Sequence, residues 1–252
     1  MAGKIPARGI KIVKRTTQPI PLRSWRILAA TLALAVLGRT AHVSAHGVTA
    51  RDAVFLQSIN GIAVVPLLYL GAKHMVTGYD HLLFLCGVVF FLYRPKQVFL
   101  YVSLFTAGHS ATLLAGALGG LRADPFLIDA IIGLSIVYKG FENIGGFSRL
   151  LGFEPDTRVA VLIFGLFHGL GLATKLQDLH LPRTGLVGNI VSFNVGVEIG
   201  QVLALSLVLI ALLWWRRQPS YVRHAFAANT VLMTSGVVLM GYQIAGYFVG
   251  PR

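Results

Sequence analysis

Two histidines and one aspartate precede a strongly apolar stretch in the first half of the chain. His74, Asp80 and His81 have the spacing His-x5-Asp-His, and Leu82-Leu83-Phe84-Leu85 follows them. Ionisable side chains at the end of an apolar helix are costly to keep there unless they have a function. Imidazole and carboxylate groups are suitable ligands for Ni²⁺, Co²⁺ and Zn²⁺. This His-Asp-His motif therefore indicates a divalent-metal site.

Four more ligand-type side chains occur inside later apolar segments. His109 and His168 each lie near the middle of such a segment and next to a glycine. Asn194 and Glu198 are four residues apart in a third segment, so they share one helix face. A carboxylate inside a membrane needs a proton or a cation to be stable. We therefore predict that these four residues form a metal site at mid-depth, beneath an entrance site made by the His-Asp-His motif.

Further polar side chains extend along the same segments and predict an ion pathway. A stripe of polar residues at helical spacing is unfavourable against lipid, so it must face the interior of a bundle. The alternative for these residues is a structural hydrogen bond between helices. For Glu142 it is an ion pair with Lys139, three residues earlier on the same helix. The predicted pathway residues are Thr106, Ser110, Tyr138, Glu142, Asn143 and Gln201.

The composition places these residues in a membrane protein. Hydrophobic residues make up 55% of the 252 residues and charged residues 12%, against about 25% charged residues in soluble domains. The net charge of +13 does not indicate nucleic-acid binding, because the basic residues lie in the N-terminal tail and in short loops between apolar segments. The single cysteine, Cys86, excludes an intramolecular disulfide framework.

Six apolar segments predict an all-α, polytopic transmembrane helix bundle. Residues 1–45 are predicted to be a signal peptide, or else a retained first transmembrane helix that adds a seventh span. Residues 46–78 are predicted to form an exported loop and a short interfacial or re-entrant helix, and residues 79–252 a permease-like bundle. The predicted spans are 79–93, 98–119, 126–147, 158–176, 187–213 and 226–248.

Basic residues in the loops predict the orientation, because Lys and Arg prefer the cytoplasmic side. The N-terminal tail is predicted to be cytoplasmic and the His-Asp-His motif to lie at the outer or periplasmic side of a bacterial inner membrane. Seven basic residues fall in the predicted cytoplasmic loops and three in the outer loops: Arg94, Lys96, Arg149, Arg158, Arg216, Arg217 and Arg223, against Arg122, Lys175 and Arg183.

These motifs together resemble the HupE/UreJ family of nickel and cobalt permeases. The resemblance implies a small polytopic permease that admits Ni²⁺ or Co²⁺, often in support of nickel-enzyme maturation. The family's His-x5-Asp-His element is complete here, whereas Phe167-His168-Gly169 is half of its second element. The resemblance covers about residues 70–215 and rests on five motifs in order, at 74–85, 105–113, 135–143, 164–171 and 193–201.

Three functions are open at this point. The first is a Ni²⁺ or Co²⁺ permease driven by the gradient or potential, since the chain has no Gly-x4-Gly-Lys-Ser/Thr signature for ATP. The second is a non-transporting subunit or assembly factor in a larger membrane complex. The third function is a membrane zinc hydrolase that uses Asp80, His81, His109 and His168 with Ser110.

The predicted partners are the lipid bilayer and either a second copy of the chain or a larger complex. Nucleic acid is not a predicted partner.

Overall fold

The structure, a computed structural model, describes residues 61–178 and 184–249. All regular secondary structure in these two ranges is α-helical, which confirms the predicted all-α polytopic bundle. The predicted leader at 1–45 lies outside the described residues, as does most of the predicted exported loop. The helices are α1 (Val64–Thr77), α2 (Tyr79–Val89), α3 (Pro95–Gly119), α4 (Pro125–Asn143), α5 (Gly146–Leu150), α6 (Thr157–Asp178), α7 (Leu186–Arg216) and α8 (Ser220–Val249).

Four of these helices are each long and apolar enough to cross a membrane, namely α3, α6, α7 and α8. Helix α4 has 19 residues, or about 28 Å at about 1.5 Å per residue, close to a hydrocarbon core of about 30 Å. Helix α2 has 11 residues and is only about 16 Å long. The predicted span 79–93 is therefore too short to cross a membrane alone.

Helices α1 and α2 together make one broken crossing beside α7. At the N-terminal end of α7, the backbone N–H of Ala63 donates to Asn189 Oδ1 at 2.8 Å, so α1 begins beside this end. At the other end, the Arg216 guanidinium donates to the Val89 carbonyl at 2.5 Å, where α2 finishes. The break between the two helices is at Gly78. The crossings therefore number six in the described part of the chain, with α1 and α2 counted as one.

The break places the His-Asp-His motif at half the length of the bundle. A Cβ built on Gly200, which lies midway along α7, would be 2.9 Å from the Cβ of Met75, next to His74. This corrects the expectation that the motif forms a separate entrance site at an outer mouth. The physical reason is that α1 is already part of the crossing, so Gly78 interrupts a span and does not begin one.

Glycines bring the helices into backbone contact in three pairs. In α1 and α7, a Cβ at Gly200 would lie 2.5 Å from the Ala72 carbonyl oxygen, and in α3 and α6 a Cβ at Gly165 would lie 2.5 Å from that of Phe105. Helices α4 and α8 meet in the same way at Gly133. Small residues allow this approach in membrane bundles, where dispersion contacts replace the hydrophobic driving force. Helix α2 lies among the pairs, and most of its residues are buried.

Replacing Gly133 by alanine should loosen the contact of α4 with α8. The added Cβ would lie 2.7 Å from the backbone nitrogen of Met240 and 3.0 Å from the Gly236 carbonyl oxygen, and overpacking of this kind costs about 1–3 kcal/mol. We expect a lower midpoint of thermal unfolding in detergent. Gly241→Ala on α8 is the matched control, because nothing lies within 4 Å of its Cβ position. Equal midpoints for the two variants would contradict this packing.

Candidate metal centre

Three buried side chains form a cluster that we call the metal centre: Asp80 and His81 of α2, and His168 of α6. One ligand atom from each lies within 4.8 Å of the others, and each residue is 0% exposed. Bonds from nitrogen or oxygen to such an ion are about 2.1 Å long, so ligands of one ion lie about 3–4 Å apart. Side-chain shifts of less than about 1 Å therefore bring all three groups onto one ion.

The first turn of α2 orients two of these ligands. His81 Nδ1 lies 3.2 Å from Asp80 Oδ1, and a histidine that donates from Nδ1 to a carboxylate presents Nε2 as its ligand nitrogen. Gly78 precedes this turn with φ −71° and ψ 98°, angles open to many residues. A Cβ there would lie 2.6 Å from His81 Nδ1. Glycine is needed at 78 because the imidazole comes so close, and not because of the backbone angles.

His168 is fixed by the helix that carries it. Its Nδ1–H donates to the Phe164 carbonyl oxygen one turn earlier at 2.7 Å, which makes Nε2 the ligand nitrogen. The rings of Phe105 and Phe84 lie 5.0 and 5.6 Å from the His168 ring, measured between centroids. These aromatic rings shield the imidazole from bulk water and strengthen its interaction with a cation.

Two more predicted histidines flank the metal centre. The His74 ring lies 5.1 Å from the His81 ring between centroids, and the His109 ring lies 6.4 Å from it. His109 is fully buried on α3, and its ring stacks on Phe105. The structure thus brings the histidines and aspartate of the predicted entrance site together with the two mid-depth histidines in one cluster: His74, Asp80, His81, His109 and His168.

Asn194 and Glu198 do not join this cluster, which corrects the predicted composition of the site. The Ser110 hydroxyl donates to Asn194 Oδ1 at 3.4 Å, and Glu198 is exposed on a groove between α3 and α7. Gly196 faces α1, because a Cβ there would overlap the carbonyl oxygen of Leu68. Residues two apart on a helix point in nearly opposite directions, so Glu198 points away from α1.

The predicted pathway residues on α3 and α7 bond to each other. The Thr106 hydroxyl donates to Gln201 Oε1 at 2.9 Å, and Gln201 Nε2 donates to the Val102 carbonyl at 3.3 Å. With the bond from Ser110 to Asn194, these contacts join two antiparallel helices at half their length. The predicted alternative of interhelical hydrogen bonding is therefore seen for Thr106, Ser110 and Gln201.

The predicted pathway residues on α4 lie toward the end of the bundle at which α2 ends. Glu142 accepts from Lys139 Nζ at 2.6 Å, which is the ion pair proposed as the alternative, and it also accepts from the Thr157 hydroxyl. Asn143 Nδ2 donates to the carbonyl of Gly87 near the end of α2 at 2.8 Å. The Tyr138 ring packs among aromatic side chains. These contacts tie α4 to α2 and α6.

Two polar contacts inside the bundle are not among those predicted from the sequence. Lys175 Nζ lies 2.9 Å from Asp129 Oδ2, and the Asp129 side chain is 6% exposed, so the pair links α6 to α4 within the bundle. Asn189 holds the start of α1 through Ala63 and Gly61. Asp129 lies in an apolar segment. The need of a membrane carboxylate for a proton or a cation, from which Glu198 was selected, therefore points to Asp129 as well.

The comparisons with known proteins agree with this architecture. The family model described as HupE / UreJ protein matches residues 50–250, a range that contains the metal centre and the eight helices of the described residues. No curated protein and no solved structure matches the chain. This match confirms the predicted family resemblance. Together with the long apolar helices, it identifies the chain as a multi-pass membrane protein. The chain belongs to the HupE/UreJ family of metal-transporter-like membrane proteins.

Proposed function

We propose that this protein is a permease that carries a divalent transition-metal ion, Ni²⁺ or Co²⁺, across the inner membrane of a bacterium. The observation that carries the proposal is the metal centre, a buried set of one carboxylate and two imidazoles at a helix break halfway through a membrane bundle. Buried ionisable groups at this depth usually belong to ion pathways. Transporters commonly place their ion sites where a crossing helix is interrupted.

The chemistry of the donors favours transition metals. Imidazole nitrogen binds Ni²⁺, Co²⁺ and Zn²⁺ well, whereas Mg²⁺ and Ca²⁺ prefer sites made of oxygen alone. The rings of His74 and His109 lie near the His81 ring, so each can replace a ligand of the metal centre as the ion moves. A shell that exchanges its ligands suits transport, because the ion must leave as readily as it enters.

The loop charges support a direction of entry. Basic residues near Arg94 and Arg216 would mark the cytoplasmic end of α3 and α7. The break at Gly78 leaves the order of the loops unchanged, because α1 and α2 count as one crossing. An ion would then approach from the outer side, near the start of α1, and reach the metal centre halfway across.

Purified protein in liposomes with a metal-sensitive dye inside tests this function. We expect influx of Ni²⁺ and Co²⁺ above that of protein-free liposomes. An excess of Mg²⁺ or Ca²⁺ outside the liposomes should not inhibit it, because oxygen-preferring ions do not compete for the imidazoles of the metal centre. Wild-type protein that moves no divalent metal would contradict the proposal. A tightly held zinc ion together with hydrolytic activity would favour the membrane hydrolase instead. Isolation in a fixed complex without any metal response would favour a subunit role.

A further inference from the structure

A groove between α3 and α7 runs from one end of these helices to half their length. Its volume is about 740 Å³. Tyr93 and Arg216 line it at one end of the bundle, and Ser110 and Glu198 line it at the inner limit. Because α3 and α7 are antiparallel here, the groove follows the second half of α7 and the first half of α3.

Glu198 is the acidic side chain of this groove. It lies 12 positions after Leu186, the first residue of α7, which is about 18 Å along the helix. In the part of the chain that the structure describes, no basic side chain forms an ion pair with it. A carboxylate at this depth of a membrane is stable only with a proton, a cation or a polar partner. The groove therefore contains an acidic side chain that must take up a proton or contact a cation or a polar group.

Hydroxyl groups occur on both walls of the groove, among side chains that are mostly apolar. The hydroxyl groups of Ser103, Thr106 and Ser110 recur at helical spacing on the α3 wall, and Ser206 lies on the α7 wall. Oxygen donors of this kind hold a divalent cation together with its remaining water molecules. The polar side chains beside Glu198, at the inner limit, thus suit a partly hydrated cation, whereas the rest of the groove is mostly apolar.

A hydrogen-bonded partition separates the groove from the histidines. It consists of the bonds from Thr106 to Gln201 and from Ser110 to Asn194. His109 precedes Ser110 on α3, and consecutive helical residues point about 100° apart. On α3, His109 therefore points toward His81, while Ser110 points into the groove. The two regions are neighbours across a single helix wall.

We propose that Glu198 is a second cation site, which receives the divalent metal ion after it leaves the metal centre and before it leaves the protein. This inference rests on the proposed function. Opening of the partition lets the ion pass from imidazole ligands to the carboxylate and hydroxyl oxygens of the groove. Oxygen donors bind Ni²⁺ and Co²⁺ more weakly than imidazole does. The ion therefore leaves the second site more readily than it leaves the metal centre.

Glu198→Gln in the full chain tests the second site, because it removes the charge and keeps the shape. We expect the purified variant to bind Ni²⁺ at the metal centre as tightly as wild type, measured by calorimetry in detergent. We expect its Ni²⁺ influx into liposomes to fall at least tenfold, and Glu198→Asp to regain part of the loss. Glu154→Gln, at an exposed position outside the groove, should match wild type.

Three results would overturn the inference. Influx by Glu198→Gln at the wild-type rate would show that the ion does not use Glu198. Loss of Ni²⁺ binding as well as influx would place Glu198 in the metal centre itself. A change in oligomeric state with normal influx would show that Glu198 pairs with another chain. Absence of influx by the wild-type protein for every divalent metal is a different result, because it contradicts the proposed function itself and therefore also this site.

Discussion

Replacing His81 by alanine is expected to reduce Ni²⁺ and Co²⁺ influx at least about a hundredfold, since even supporting groups of a metal site contribute 10–100-fold. His81 lies in the middle of the cluster, with its Nδ1 3.2 Å from Asp80 Oδ1 and its ring 5.1, 5.2 and 6.4 Å from the rings of His74, His168 and His109. Its removal takes away a ligand and the contact through which the carboxylate is oriented. Initial rates of dye response in liposomes, at equal protein content, measure the loss.

His224→Ala is the matched control for His81→Ala, because His224 is exposed near the start of α8. It should transport at the wild-type rate. Asp80→Asn keeps the side-chain shape and should also lose most of the influx, which separates a lost ligand from a lost fold. Influx by His81→Ala within a few-fold of wild type, with the protein still folded, would contradict the role given to the metal centre.

Replacing Lys139 by alanine is expected to destabilise the bundle more than any loop substitution. Lys139 Nζ lies 2.6 Å from Glu142 Oε2, and the two side chains are 7% and 16% exposed. Loss of one partner leaves the other charge buried, which costs about 3–5 kcal/mol. For a chain of this size we expect the midpoint of thermal unfolding to fall by about 6–20 °C.

The double variant Lys139→Met with Glu142→Gln is the control for this prediction. It removes both charges, so neither is left buried, and such replacements of buried ion pairs are often close to neutral. Its midpoint should recover most of the loss. A single variant that melts like wild type, or a double variant that melts as low as the single, would show that the pair does not carry the stability assigned to it.

The helices were predictable from the sequence because long apolar segments have few other structures in a membrane. The broken crossing was not predictable, because Pro66 and Gly71 divide the apolar segment at 60–72 into pieces that are too short to cross a membrane. Pro66 lies in the first turn of α1, where its missing N–H leaves no helical hydrogen bond unmade. A Cβ at Gly71 would overlap the Phe193 carbonyl oxygen, so this glycine serves the contact with α7 and does not end α1.

The metal centre was predictable in part. The mid-depth position of His109 and His168 followed from their place in long apolar segments. The position of Asp80 and His81 beside His168 did not, because these two residues are predicted at a separate entrance site. The place of Glu198 did not follow, because helical spacing shows that it shares a face with Asn194 but not which neighbour that face meets. The packing of α1 on Gly196 and Gly200 fixes the rotation of α7, and that packing depends on tertiary contacts.

Anomalous diffraction from crystals grown with Co²⁺, recorded at the cobalt absorption edge, tests the central claim most directly. We expect a cobalt peak between Asp80, His81 and His168, and no such peak in the His81→Ala protein. A peak confined to the groove at Glu198, or a peak unchanged when His81 is replaced, would contradict the metal centre.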